Sequence, residues 1–121
     1  MTGKTRAERD GRRGEGWAAL YLMAKGWRIV ARQARIGHGR GIGEVDLIAR
    51  RWGVLAFVEV KWRRDARALD TAIDERRLQR VARVAEALAP RLMRPGEAVR
   101  IDVILLAPWQ WPRHMTHVWQ P

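Results

Sequence analysis

The stretch "GEVDLIARRWGVLAFVEVKWR", Gly43 to Arg63, decides the fold class of this chain. Runs of Val, Leu, Ile and Phe flank Trp52 and Gly53, and this pattern is typical of two strands joined by a short glycine-containing turn. We therefore predict strands from Glu44 to Arg50 and from Val54 to Trp62. A loop of two or four residues centred on this turn pairs positions whose numbers sum to 105.

That register brings four charged side chains onto one face of the hairpin, with Asp46 opposite Glu59 and Glu44 opposite Lys61. Directly opposed residues have Cβ atoms about 4.5–5.5 Å apart, and two like charges at that separation destabilise a sheet. A divalent cation would offset the repulsion, because two carboxylates, a backbone carbonyl and water suit Mg²⁺. With a lysine alongside, the set favours phosphodiester hydrolysis. The alternative is a group of strand-end charges that pair with arginines.

The rest of the chain predicts an α/β single domain with a central mixed sheet flanked by helices. "VRIDVILLA" is largely apolar on both faces, which is typical of a central strand covered by helices. The order is helix, three strands, helix, strand, and a short terminal strand is an additional candidate. The predicted spans besides the hairpin are a helix from about Arg13 to Lys25, a strand over Trp27 to Ile36, a helix from near Asp70 to Ala89, a strand over Val99 to Ala107 and a short strand near His114 to Trp119.

Two apolar stripes run along the first predicted helix. One contains Trp17, Leu20, Tyr21 and Ala24, and the other contains Glu15, Ala18, Ala19 and Leu22. A glutamate on an apolar stripe faces protein, so we expect Glu15 to point toward Asp46 and Glu59. The rival interpretation is a Glu15 that caps the helix or pairs with Arg12. The second helix is expected to bury Leu78, Val81, Ala82, Ala85 and Leu88.

The charge balance favours a polyanionic partner. The 121 residues contain 24 Lys and Arg against 13 Asp and Glu, a formal charge of +11, which suits nucleic acid or an anionic membrane. A basic amphipathic helix with a strongly apolar exposed face is not evident, so the membrane alternative is the weaker. We expect a flexible basic arm over 1–12, a domain over 13–121 and a cytoplasmic location. The lack of cysteine excludes disulfides and thiolate zinc sites.

Other motifs are better explained structurally. The glycine-rich "GHGRGIGEVDLIA" runs into a strand, whereas a phosphate-binding fingerprint opens a helix, so we interpret it as a hairpin loop. The histidines lack the spacing of a metal site; they are His38, His114 and His117. Three tryptophans are expected in the core or at a dimer interface, with stacking on unpaired bases as the alternative; they are Trp109, Trp111 and Trp119.

Asp46 lies thirteen residues before Glu59, which begins the "EVK" that ends at Lys61. This combination resembles the acidic-x-Lys signature of the restriction-endonuclease-like superfamily. More widely, the chain resembles the YraN family of small bacterial proteins related to archaeal Holliday junction resolvases. The resemblance omits the basic arm and the tryptophan-rich tail. It rests on "GRRGEGWAALYLMAKGWRIVARQAR", "GEVDLIA", "FVEVKWR", "AIDERRLQRV" and "RIDVILL". It implies a restriction-endonuclease-like fold and a metal-dependent DNA endonuclease acting on branched or single-stranded DNA.

The resemblance also implies residue roles. Asp46, Glu59 and the carbonyl of Val60 would bind Mg²⁺ or Mn²⁺, with Lys61 as the catalytic lysine. Glu15 would approach the site from the first helix, and Glu44 would support it. Two positions depart from the family pattern, Gln33 for the usual Asn and Arg77 for the usual Lys.

Arginines that flank the predicted site in sequence are candidates for contacts with nucleic acid. They are Arg35, Arg40, Arg63 and Arg64, together with Arg77 in the second helix. Arg76, Arg80 and Arg83 form a basic stripe that is either a solvated helix face or a phosphate contact. A nucleic-acid-binding module without turnover remains the alternative function, and a homodimer remains an open possibility.

Overall fold

A computed structural model describes residues 6–37, 43–63 and 75–119, with side chains from Gly14 onward. Two helices and five strands lie in these ranges. In chain order they are α1 (Arg6–Ala24), β1 (Arg28–Arg35), β2 (Glu44–Arg51), β3 (Val54–Trp62), α2 (Glu75–Leu92), β4 (Ala98–Leu106) and β5 (Arg113–Met115). Among the described residues, no helix is long and apolar enough to cross a bilayer.

The five strands form one mixed sheet in the order β1-β2-β3-β4-β5. The pairs β1–β2, β2–β3 and β4–β5 are antiparallel, and β3–β4 is parallel. A parallel pair needs a long crossover, and α2 supplies it between β3 and β4. The α/β architecture predicted from the sequence is confirmed.

Each face of the sheet has its own apolar core. On one face, Phe57 and Val81 belong to a buried cluster contributed by α2 and the sheet. On the other, Leu22 and Val58 belong to a cluster contributed by α1 and the sheet. β4 is buried along residues 101–106, as expected for a strand covered on both sides.

The β2–β3 hairpin follows the predicted register near its turn. The described pairs run from Arg51–Val54 to Leu47–Val58, and each pair sums to 105. The loop is the two-residue version, with φ of 45° at Trp52 and 75° at Gly53. Two positive φ values match the type I′ turn, whose twist suits a two-residue hairpin.

The helices differ from the sequence prediction at three points. First, α1 begins at Arg6 and not near Arg13, because Arg, Ala and Glu favour helix even without an apolar stripe. Second, α2 continues through Pro90, because a proline in the last turn removes only one backbone hydrogen bond and Met93 N still bonds Ala89 O at 2.8 Å. The predicted start of α2 lies outside the described residues.

The third difference concerns the faces. In α1 the stripe containing Glu15, Ala18, Ala19 and Leu22 is buried, whereas Trp17 and Leu20 are largely exposed. Small side chains let α1 approach the sheet closely, and a Cβ at Gly14 would already lie 3.5 Å from Leu106 Cδ1. In α2 the buried residues are Leu78, Val81, Val84, Ala85 and Ala89, while Ala82 and Leu88 are only half-buried.

Candidate active site

The site is a fork where β2 and β3 part. Their described pairing ends at Leu47–Val58, although β2 goes on pairing with β1 and β3 with β4. Beyond that point Asp46 Oδ2 accepts a hydrogen bond of 2.7 Å from the Val60 N–H. The expected Asp46–Glu59 ladder pair is therefore wrong in detail, because the Asp46 carboxylate itself bonds the backbone of β3. The two carboxylates are still neighbours, since Glu59 shifts the pKa of Asp46.

Glu59 is the most deeply buried carboxylate of the fork, with 2% of its surface exposed. Two cations approach its Oε1 atom, Arg77 Nε at 2.8 Å and Lys61 Nζ at 3.5 Å. Neither contact meets strict hydrogen-bond geometry, so the two cations hold Oε1 as ion pairs. An oxygen held in this way keeps lone pairs that a metal ion could use.

Burial and like charge alter the acidity of the site. Burial raises the pKa of Asp46 to about 7, and Glu59 adds to the rise; the Val60 N–H and Arg77 lower it, and Glu15 raises it again. Burial also lowers the pKa of Lys61 from its usual 10.5, with Glu59 opposing this and Arg77 and Arg63 reinforcing it. Two desolvated acids therefore repel each other beside a desolvated lysine, which is the electrostatic pattern of functional sites.

Glu15 lies on α1, close enough for its charge to contribute to the raised pKa of Asp46. It is buried, and two side chains of β1 hold its carboxylate: Arg32 Nε at 3.2 Å and Gln33 Nε2 at 2.5 Å. Neighbouring strand residues normally point to opposite faces, but Gln33 has a φ of 52°, which interrupts the alternation so that both reach Glu15. The side chain of Arg12 lies outside the description, so pairing with it stays untested.

Glu44 lies apart from Lys61, and the predicted opposition of these two residues is wrong. Its carboxylate instead contacts Arg35 Nε and Arg80 Nη2, each at 3.4 Å. The reason is the fork: at its N-terminal end β2 follows β1, where Glu44 pairs with Arg35. The preceding Gly43 packs tightly, because an added Cβ would lie 2.9 Å from Ile36 Cγ1.

The arginines predicted to contact nucleic acid lie in different surroundings. Arg77 lies at Glu59, and Arg35 lies at Glu44. The Arg63 side chain donates to the Trp62 carbonyl at 3.0 Å. Arg40 and Arg64 lie outside the described residues. Within the described ranges no group of three or more His, Asp or Glu side chains is arranged to hold a metal.

Sequence reasoning missed a second polar cluster, around Asp102 in β4. The fully buried carboxylate accepts from Arg100 Nε and Nη2, each at 2.9 Å, and from the His117 N–H at 3.0 Å, and His114 Nε2 lies 2.8 Å from it. The alternation of Arg100 and Asp102 in an otherwise apolar strand was the available signal. His114, whose spacing in the sequence is not that of a metal ligand, is a structural partner of Asp102.

The model of the uncharacterised protein family UPF0102 matches residues 14–106, a range that contains Glu15, Asp46, Glu59 and Lys61. The chain belongs to the UPF0102 family. UPF0102 proteins of Sphingopyxis alaskensis and Rhizorhabdus wittichii are each 56% identical to it, over 95% and 98% of this chain and 96% and 98% of theirs. One from Paramagnetospirillum magneticum is 44% identical, over 94% of this chain and 89% of that protein.

Among solved structures, the UPF0102 chain is similar to Archaeoglobus fulgidus Hjc, a Holliday junction resolvase. The TM-score is 0.61 at 17% sequence identity, over 88% of this chain and 76% of that one. At this identity the likeness shows the fold, and it confirms the predicted restriction-endonuclease-like architecture. The resemblance found from the sequence motifs is confirmed by the family match.

Proposed function

We propose that this UPF0102 protein is a divalent-metal-dependent DNA endonuclease that hydrolyses phosphodiester bonds in branched or single-stranded DNA in the cytoplasm. The observation that carries the proposal is the fork itself. It holds the Asp46 and Glu59 carboxylates close to each other and to Lys61, with the buried Glu59 Oε1 in ion pairs with Lys61 and Arg77. The likeness to a Holliday junction resolvase supports the choice of DNA.

The donor set fits a hard divalent cation. Asp46, Glu59 and the Val60 carbonyl would hold Mg²⁺ or Mn²⁺, both of which favour carboxylate, carbonyl and water oxygens. When bound, such an ion polarises a phosphoryl oxygen and makes a bound water more acidic. The Val60 N–H fixes Asp46 from the other side, so the carboxylate is already positioned before any ligand arrives.

Lys61 and Glu15 have separate tasks in this proposal. The Lys61 ammonium, 3.5 Å from Glu59 Oε1, would orient the attacking water or stabilise the negative charge that develops on the phosphate. Glu15, held by Arg32 and Gln33, acts at longer range by opposing the ionisation of Asp46. The high positive charge of the chain would attract the DNA backbone.

One contact favours a second candidate, a DNA-binding module without turnover. Arg77 Nε lies 2.8 Å from Glu59 Oε1, so the fold already brings a cation to the proposed ligand. In that case Arg77 and Lys61 neutralise Glu59 and no metal is required. Arg77→Lys separates the two candidates. A metal site predicts that the more mobile lysine leaves cleavage intact or increases it, while a purely structural ion pair predicts only a change in stability.

The direct test is cleavage of labelled single-stranded, duplex, flap and four-way DNA with and without Mg²⁺ or Mn²⁺. We expect metal-dependent cleavage that Lys61→Ala abolishes without loss of DNA binding. Lys25→Ala is a matched control, because Lys25 is an exposed lysine with the same charge. Cleavage that resists chelation, or that survives Lys61→Ala, contradicts the proposal; binding without cleavage under every condition favours the second candidate.

A further inference from the structure

The connection between β4 and β5 lies at the same edge of the sheet as the fork. β3 and β4 are parallel, with Lys61 beside Leu105 and Trp62 beside Leu106. The Arg63 N–H then donates to the Leu106 carbonyl at 2.9 Å. Residues 107–112 leave β4 at this edge and return at Arg113, which pairs with Leu105. Whatever this connection presents to solvent is therefore a neighbour of the proposed cleavage site.

It presents two indole rings. Trp109 is 102% exposed and Trp111 is 89% exposed, so neither packs in the core, while the alternative of a dimer interface stays a prediction. Trp119 packs against the α2 side of the core as expected. Two fully exposed indoles within one short connection form a local apolar patch, and such patches mark interaction sites, whereas a single exposed residue such as Trp52 needs no such explanation. The connection is also conformationally restricted, because it reads "PWQWP" and Trp109 has a φ of 62°.

We propose that Trp109 and Trp111 stack on unpaired nucleobases of a DNA strand whose backbone passes the Glu59–Lys61 fork. The inference rests on the proposed function and narrows its substrate to DNA with unpaired bases beside the scissile phosphate. Trp109 is four residues beyond Leu105, which limits the distance between their Cα atoms to about 14 Å. At the duplex spacing of about 3.4 Å per nucleotide, this upper limit corresponds to about four nucleotides.

The charge of the chain favours a DNA strand, and not a second copy of the chain, as the molecule that covers Trp109 and Trp111. Each copy carries +11, so two copies repel at long range, whereas a polyanionic strand is attracted. Exposed aromatic rings on a strongly basic chain suit single strands, because every base offers a π-face once it is unpaired. Bases inside an intact duplex are already stacked on their neighbours and offer no such face.

The test is fluorescence anisotropy of three labelled 20-nucleotide probes in EDTA, where no metal-dependent cleavage occurs. The probes are oligo-dT, a mixed-sequence duplex, and an abasic deoxyribose phosphate strand, which keeps the phosphates and lacks the bases. We expect the double variant Trp109→Asn, Trp111→Ala to bind oligo-dT roughly tenfold more weakly than the parent. Its affinities for the duplex and the abasic strand should stay within about twofold.

Trp52→Asn is the matched control. Trp52 is also exposed and also has a positive φ, which asparagine tolerates, but it lies in the β2–β3 turn at the opposite end of β3. This variant should bind all three probes like the parent. Because all three tryptophans are exposed, both variants should melt within a few degrees of the parent, which keeps the comparison interpretable.

Three results would overturn the inference: unchanged oligo-dT binding in the double variant, an equal loss on all three probes, or an equal loss with Trp52→Asn. A double variant that sediments as a monomer while the parent sediments as a dimer, with oligo-dT affinity unchanged, would assign the rings to a second copy. Binding in EDTA does not require turnover. The stacking inference can therefore fail while cleavage is observed, and it can hold while cleavage is absent.

Discussion

Two aspartates of the same sheet, Asp46 and Asp102, are both buried, but their pKa values are shifted in opposite directions. Burial alone would raise the pKa of Asp102, but hydrogen bonds from His114, Arg100 and the His117 N–H more than offset it, and the pKa is lowered. Burial of Asp46 and its two acidic neighbours outweigh the single N–H that it accepts and the nearby Arg77, so its pKa rises to about 7. The same residue type in one sheet is thus a carboxylate with several hydrogen-bond donors at one site and a carboxylate with one backbone donor and two acidic neighbours at the other. Acids whose pKa values are strongly raised cluster at functional sites.

The largest expected contrast is in the pH dependence of stability. Folded Asp46 keeps its proton to about pH 7, whereas the unfolded chain loses it near 3.8, so its contribution to stability falls as the pH rises between these values. At pH 8, Asp46→Asn should therefore be more stable than the parent, by up to about 4 kcal/mol. Chemical denaturation at pH 5 and pH 8 measures this difference. The gain in stability should be smaller at pH 5. If the variant and the parent have the same stability at both pH values, the pKa of Asp46 is not raised.

Asp102→Asn should do the reverse. It leaves Arg100 and His114 without their anionic partner, which should cost about 3 kcal/mol of unfolding free energy, at the low end for buried pairs because Arg100 is partly exposed. The pKa of Asp102 is lowered, so its contribution is present above about pH 3.8 and disappears as the pH falls through the folded value. Cleavage per folded molecule should be unchanged, while Asp46→Asn should lose at least about 100-fold. Parallel melting curves and cleavage rates decide between the roles; equal losses of activity would end the distinction.

Much of this arrangement could be predicted from the sequence. The apolar run and the Trp52-Gly53 turn are local signals, and they predict the third strand over residues 54–62 with the ends that the structure shows. The fork could not be predicted, since register arithmetic assumes an uninterrupted ladder, and Asp46 ends it by bonding the Val60 N–H. The cluster around Asp102 was missed for a related reason: His114 and His117 are more than ten residues away in sequence, and only the β4–β5 pairing brings them together.

The close packing around Gly43 predicts a loss of stability smaller than the effects expected for the two aspartates. Gly43→Ala would place a Cβ 2.9 Å from Ile36 Cγ1, 3.0 Å from Val84 Cγ2 and 3.1 Å from the Arg80 carbonyl oxygen. Backbone and branched side chains cannot all move aside, so we expect a loss of about 2 kcal/mol. Gly16→Ala is the control, because its Cβ would meet only Arg32 Nη2 at 3.9 Å and alanine favours the helix. Thermal melting should move in opposite directions for the two variants; a neutral Gly43→Ala would show that the start of β2 is loosely packed.

The smallest expected effect belongs to Glu15, which acts on Asp46 without belonging to the proposed ligand set. Glu15→Gln keeps the shape but weakens the contacts with Arg32 and Gln33 and removes a charge that opposes ionisation of Asp46. We expect roughly a tenfold loss of cleavage, the size usual for groups that position a metal ligand. The pH at which cleavage reaches half its maximum should also fall. A changed melting temperature with full activity would return Glu15 to a structural role.

The central claim is that Asp46 and Glu59 bind one divalent ion together, and calorimetric titration with Mn²⁺ tests it most directly. The parent should bind one ion per chain. Affinity should weaken about tenfold for each pH unit below 7, because the proton on Asp46 must leave first. Asp46→Asn and Glu59→Gln should each abolish binding, while Glu86→Gln, which removes an exposed carboxylate of α2, should bind like the parent. Binding of Mn²⁺ to Asp46→Asn as tight as to the parent would contradict the account.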